Sequence, residues 1–227
     1  VLADLIALQQ ADAAFPSGSF AFSNGVEGLA AADPGFGEAA LARSVAAALA
    51  FRWAGTDRVA LILAHRADGD AGRLAAIDAA VEAASMAEPM RTGSRRNGAS
   101  LLAAHARLGT PGAADLRRVV REGGLLGHLP TVQGALWRAL GLPERSAALV
   151  SGYQFASGLT SAAVRLGAVG AIEAQRVLSG ALPLIAEHLE RPVPEPEDGA
   201  IVLTGLTPFI EIAAMRQAQA ELRLFAN

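Results

Sequence analysis

Four histidines, His65, His105, His128 and His188, are the side chains here best suited to ligate a metal or move a proton near neutral pH. Their spacing supports neither role. No HxH, HExxH or ExxH pattern occurs, so no helix offers two ligands one turn apart on the same face. Each reads as a surface or hydrogen-bonded core histidine, although a site gathered from distant residues or across a symmetric dimer stays open at this level. No DDxxD motif is present to hold magnesium, and no GxSxG elbow presents a serine. Cysteine is absent, which removes thiolate ligands, disulfides and cysteine nucleophiles. All 19 basic residues are arginine. Without lysine there is neither a Walker A loop nor a pyridoxal Schiff base. The adjacent acids Glu197 and Asp198 lie in a proline-rich stretch and read as a solvated charge run.

Two arginine groups and one aromatic corner remain. Arg91 and Arg95 share a helical face, as do Arg117 and Arg121. The second group reads as a solvated face. Around the first, Gly93, Asn97 and Gly98 weaken helix propensity, as if a backbone had to come close. Arginine's rigid fork suits carboxylates on a partner protein as well as phosphates. The segment from Phe15 to Glu27 mixes Pro16, Gly18 and Gly25 with Phe15, Phe20 and Phe22, in a chain with only 8 phenylalanines. Either those rings plug the end of a bundle, or the turn aims them at a partner.

Helical periodicity must supply the scaffold that positions these groups. Leu2, Leu5, Ile6 and Gln9 open an amphipathic helix, and a short one follows over 26–31. Helices over 38–54 and 57–67 are separated at Gly55-Thr56. Leu74, Ile77, Val81 and Ala84 form the stripe of the next. Pro89 precedes the helix carrying Arg91, and Leu116, Val119 and Val120 mark the inner face of another. Further helices fall near 131–140, 144–166 and 170–190, the last kinked at Pro183. Thr207 is an N-cap with Pro208 at the first helical position, and the final helix runs through Met215 toward Phe225. The expectation is an all-α, single-domain bundle of about ten helices over 1–227.

Composition narrows the class further. The chain of 227 residues is 52% hydrophobic but only 5% aromatic, which favours close-packed alanine-rich helices. A net charge of -3 argues against a nucleic-acid partner held by bulk electrostatics. The mean hydropathy is positive. Residues 146–164 carry no charge, yet Ser151, Gln154, Ser157, Thr160 and Ser161 mark a buried central helix rather than a membrane span. No signal-peptide pattern opens the chain at Val1, and a cytoplasmic protein with a trimmed N-terminus is expected.

The corner resembles the N-terminal signature of the UreF family of urease accessory proteins, roughly L-x-P-x-G-G-F-S-Y-S-x-G-L-E. Pro16, Gly18, Phe20, Ser23, Gly25 and Glu27 match it, with Phe22 in place of tyrosine and Val26 in place of leucine. The resemblance continues in order through Met86, Arg91 and Gly98, then His128-Leu129-Pro130 with Gly134, then 161–166 and Gly170. It closes at Met215-Arg216 and Arg223-Leu224-Phe225. Ala168 and Ala171 replace a proline and a glutamine of the family pattern, and Gln217-Ala218 replaces a histidine and glutamate, as in a divergent branch.

That resemblance implies a non-enzymatic, all-helical adaptor of urease nickel-centre assembly, acting as a homodimer. It would bridge the scaffold UreD (also called UreH) and the GTPase UreG, and the assembly would act on apo-urease. No cofactor is held stably; nickel passes through the assembled complex as cargo. On this reading Glu27 and Arg165 contact the GTPase, with Phe20, Phe22 and Ser23 shaping that surface and Arg91 adding a polar contact. Arg216, Arg223 and Phe225 dock the scaffold. Two competing classes are a helical ligand-binding or regulatory module, and an enzyme using metal held by scattered histidines.

Overall fold

Alanine-rich periodicity without strand alternation gives, in a computed structural model, an all-α bundle. The structure describes residues 1–196, 199–220 and 224–225. Its helices are α1 (Leu2–Ala11), α2 (Val26–Ala32), α3 (Glu38–Ala48), α4 (Arg58–Arg66), α5 (Ala71–Ala84) and α6 (Glu88–Leu108). Then follow α7 (Ala113–Arg121), α8 (Leu129–Ala139), α9 (Glu144–Arg165), α10 (Ala171–Leu189) and α11 (Pro208–Ala218). A π-helix of 9 residues, Leu49–Asp57, joins α3 to α4 in one continuous rod. Counted as rods, the described residues therefore hold ten helices and no strand, the architecture expected from sequence. No described helix is long and apolar enough to cross a membrane.

The break expected at Gly55-Thr56 does not exist, and Gly55 serves a different purpose. A Cβ there would stand 2.2 Å from the carbonyl oxygen of Thr204. The segment 201–206 runs against the π-helix at backbone distance. Its Thr204 N–H donates to the Gly55 carbonyl at 3.0 Å, and its Leu206 N–H to that of Phe51 at 2.8 Å. Irregular helical turns of this kind can offer carbonyls to a neighbouring segment.

Two adjoining hydrophobic cores organise the bundle. One gathers Leu41, Val45, Leu49 and Trp53 with Ala156 to Ala163 of α9 and Val177 to Ile185 of α10. The other gathers Leu61, Leu101, Leu136 and Trp137 with Ala147, Ala148 and Val150 of α9. The α3–α4 rod and α9 each pass through both, so the uncharged stretch of α9 is the central buried helix its composition suggests. Trp53 and Trp137 have no exposed surface, and each contributes roughly 4 kcal/mol by buried apolar area.

Two expectations differ in phase or extent. In α1 the inward residue is Gln10, not Gln9, while Leu2 and Leu5 are exposed. Gln10 Oε1 accepts from Trp137 Nε1 at 3.0 Å and lies 3.1 Å from His105 Nε2, so a buried polar network displaces the hydrophobic stripe. The last helix stops at Ala218 rather than continuing toward Phe225. Thr207 does stand at its N-cap, but Glu211 reaches back to accept from both the Thr207 N–H and hydroxyl, at 3.2 and 3.1 Å. Pro183 lies inside α10, which remains helical through it.

Candidate functional site

The aromatic corner is shaped by two left-handed glycines, Gly18 and Gly25, with φ of +79° and +92°. Between them Ser19–Ala21 makes a 3-10 turn, and the chain leaves it extended at Phe22. This reversal sends the two rings apart. Phe20 is 69% exposed, whereas Phe22 is 5% exposed. Phe22 lies against Gly93 of α6, where an added Cβ would be 3.4 Å from its ring. The close backbone approach suspected around Gly93 and Gly98 is found at Gly98, where a Cβ would be 2.0 Å from the Gly127 carbonyl oxygen, whereas Gly93 makes an ordinary contact with a ring. Phe15 packs at 5.3 Å from the His105 ring, so one phenylalanine anchors each side of the turn and Phe20 points outward.

Ser23 and Glu27 are buried, Glu27 at 7% exposure. Glu27 Oε1 accepts the Leu224 backbone N–H at 2.6 Å. Arg165, at the end of α9, donates from Nη1 to the Phe20 carbonyl oxygen. Its guanidinium lies between two rings, 3.8 Å from the Phe20 centroid and 4.3 Å from that of Phe225. Burial pushes the Arg165 pKa below its ordinary value, because the surrounding apolar groups cannot replace water around the cation. Phe20 and Glu27 of the corner, Arg165 and Phe225 are thus brought together from three separate parts of the sequence. This seats Phe225, expected to dock the scaffold, among the residues expected at the GTPase.

That constellation is joined to α11. A Cβ on Gly28 of α2 would lie 2.2 Å from the Ala213 carbonyl oxygen, so the two helices cross at backbone contact. Gly25 meets Ile210 in the same way, its Cβ position 2.6 Å from Cγ2. Arg216 and Met215 are exposed on α11, together with Phe209 and Ile212. Arg223 lies outside the described residues, as do Glu197 and Asp198.

Arg91 occupies a different place, and its donors are held within the chain. It donates to the Ser85 and Met86 carbonyls at 2.7 and 3.1 Å and pairs with Glu88 and Glu82. Arg95, on the same face as expected, also pairs with Glu82 and Glu88. The Thr92 hydroxyl and then Arg91 hold the Glu88 carboxyl below its usual range. This ladder caps the end of α5 and fastens α6 to it. In the other arginine group, Arg118 pairs with Asp115 on an exposed face, as its spacing suggested.

All four histidines are buried, and among the described residues no group of three potential metal ligands forms. Desolvation lowers the pKa of His105 and is the largest cause of the lowered pKa of His188, so burial favours the neutral form of both. His128 Nε2 lies 2.7 Å from Glu82 Oε2. Asp78, which periodicity did not single out, accepts the Gly127 and His128 backbone N–H groups at 2.7 and 2.9 Å. Beneath the corner is a cavity of about 80 Å³ of mixed lining, with Ser17, Asp57, Asn97 and Gln133 among apolar side chains such as Trp53 and Phe155. Burial there pushes the Asp57 carboxyl up despite Arg52 at 3.6 Å. Of the cavity's polar lining, Asn97, Ser151 and Gln154 stand out in the sequence, and Asp57 does not.

The UreF family model matches residues 36–182. The chain belongs to the UreF family. Relatives extend the similarity beyond the matched core. A urease accessory protein UreF from Kocuria rhizophila is 31% identical, the alignment covering 100% of this chain and 98% of that protein. One from Cereibacter sphaeroides (strain KD131) is 34% identical over 93% of this chain and 92% of its own length. One from Trichodesmium erythraeum is 28% identical over 98% and 96%. The corner and α11 lie outside 36–182, so in this UreF-family chain the two flanks of the matched core meet each other across α2.

Proposed function

We propose that this chain is a non-enzymatic adaptor of urease nickel-centre maturation, bridging the UreD/UreH scaffold and the UreG GTPase and coupling the GTPase state to nickel delivery. The observation that carries this reading is the backbone-contact crossing of α2 and α11 at Gly28 and Ala213. It makes one rigid unit of the corner, assigned to the GTPase, and the helix bearing Arg216, assigned to the scaffold. A displacement of either partner's surface is then felt by the other without an intervening loop.

Phe20 supplies the exposed apolar contact on the GTPase side. Phe22, Ser23 and Glu27 lie beneath it and set its shape, while Arg165 holds the turn by its carbonyl oxygen. That bond also weighs against an arginine finger, since Arg165 would have to leave the Phe20 carbonyl and both rings to reach a nucleotide. An adaptor shifts its partner's equilibrium only through different affinity for the two nucleotide states, so the corner must bind one state of UreG more tightly. Arg91 acts indirectly, by fixing α6 behind Phe22. Nickel is cargo of the assembled complex and apo-urease is its recipient.

The competing ligand-binding reading finds little support in the cavity beneath the corner. Its volume of about 80 Å³ is far below the roughly 300–1,000 Å³ of pockets that take metabolites. Co-expression with the matching UreD and UreG, followed by size-exclusion chromatography and metal analysis, tests the proposal. A joint species carrying nickel is expected, with a mass that also reports whether the chain is a homodimer. Elution of the chain apart from both partners would sink the adaptor reading.

A further inference from the structure

Glu27 and Arg165 are covered by the same short segment. Leu224 donates its backbone N–H to Glu27, and the adjoining Phe225 ring lies over the Arg165 guanidinium. Phe225 is buried while Leu224 is exposed, as expected of a strip of chain laid flat with one side chain pressed down. The cover is incomplete in a specific way. Glu27 Oε2 and Arg165 Nε are both buried, and neither has a hydrogen-bond partner among the described residues. Each forgoes the bonds it would make to water, and for groups of this polarity that loss is not recovered by apolar packing.

We infer that Leu224–Phe225 is a strap that competes within the molecule for the surface the GTPase uses. The inference rests on the functional reading above and adds a closed state to it. With the strap down, the corner offers only the exposed Phe20 ring. With it lifted, Glu27 presents a carboxylate and Arg165 a guanidinium, two groups of opposite charge uncovered by the same movement. The occupant that satisfies both is a folded protein edge offering one donor, such as an arginine, and one acceptor, such as a carboxylate or carbonyl. A phosphate-rich polymer would satisfy Arg165 and be repelled by Glu27. Phe20, outside the strap, gives that partner its first foothold before the strap yields.

A strap closed most of the time lowers the partner's apparent affinity by the fraction that is open. Two variants open it by different means: Phe225→Ala removes the ring, and Leu224→Pro removes the N–H that Glu27 accepts. Binding of purified UreG to the chain in complex with its scaffold should tighten in both, by roughly tenfold for a strap open about a tenth of the time. In the isolated chain, hydrogen exchange at the Leu224 amide should be slow in the wild type and fast in Phe225→Ala. Glu27→Ala should also free that amide, yet weaken UreG binding. Unchanged or weaker UreG binding in both strap variants overturns the competition. A Leu224 amide that exchanges freely in the wild type overturns the strap itself. If UreG binds no form while that amide is protected, the strap stands and its assigned occupant falls together with the functional reading.

Discussion

Replacing Gly98 by alanine sets two physical effects against each other. In an unobstructed helix interior the change stabilises by up to ~1 kcal/mol, because glycine is the poorer helix former. In α6 the new Cβ would stand 2.0 Å from the Gly127 carbonyl oxygen and 3.2 Å from the His128 carbonyl carbon. An ordinary carbon–oxygen contact is ~3.3 Å or more, so the turn and the helix must part by about 1 Å. The turn is not free to move alone. Asp78 holds the Gly127 and His128 N–H groups, and the His128 ring lies against Glu82. Forcing atoms into a packed site costs ~1–3 kcal/mol, and loosening the bonds to Asp78 adds ~1–3 kcal/mol. After the propensity gain is subtracted, a net loss of ~1–5 kcal/mol remains. For a chain of this size that lowers Tm by roughly 2–20 °C. Urea denaturation and calorimetry read the change, with Gly158→Ala as the control. Gly158 is also inside a helix but has nothing within 4 Å of its Cβ position, and its alanine variant should be neutral or stabilised. Equal behaviour of the two variants would refute the steric reasoning.

The two rings of the corner should separate stability from binding. Phe22→Ala is expected to cost ~3–5 kcal/mol in chemical denaturation, and Phe20→Ala less than about 1 kcal/mol while still weakening capture of UreG. Stability should also fall in mild acid. Burial depresses the folded pKa of His105 and His188, so the unfolded chain binds protons that the folded chain refuses. Their contribution is complete above 6.5, the ordinary histidine value, and is lost as pH drops below it toward the folded values. His105→Gln should flatten that slope in urea titrations at several pH values. A third dependence runs through Glu144, whose carboxyl is held low mainly by its hydrogen bond from Arg66, at 2.7 Å. Its pairing stabilises above the ordinary value of 4.5 and is lost as pH falls through the folded pKa. Glu144→Gln should therefore cost ~1 kcal/mol at neutral pH, given partial exposure, and progressively less as pH falls below 4.5.

The long elements were legible where local chemistry decided them. α9 could be read end to end because an uncharged run lies between Arg145 and Arg165 and small residues recur along it. The starts of α6 and α11 followed from Pro89 and Pro208, whereas α8 begins at Leu129, two residues before the expected 131, with Pro130 inside its first turn. Gly55 misled for the opposite reason: its glycine answers to Thr204, a neighbour in space that no local window contains. Gln10 was missed by one residue because polar groups from α6 and α8, rather than an apolar stripe, set the phase of α1. The spacing of Arg91 and Arg95 was legible, but not that Glu82 and Glu88 of the same chain would engage them. At the corner, residue types flagged Phe20, and the family resemblance added Glu27 and Arg165. Only the fold could show that Leu224–Phe225 lies over two of them.

The π-helix between α3 and α4 acts as a phase setter. It belongs to a single rod whose two ends serve different cores, with Leu41 and Val45 on one side of it and Leu61 and Ala64 on the other. In a regular helix, removing one residue turns everything beyond it by about 100°. A deletion within Leu49–Asp57 would therefore rotate Leu61 and Ala64 away from α8 while leaving α3 seated. Length is held here by both cores at once, so substitutions should be tolerated where a single-residue insertion or deletion is not. The 201–206 segment reads the same geometry from outside, because its two backbone bonds to Phe51 and Gly55 require those carbonyls one turn apart on its side of the rod.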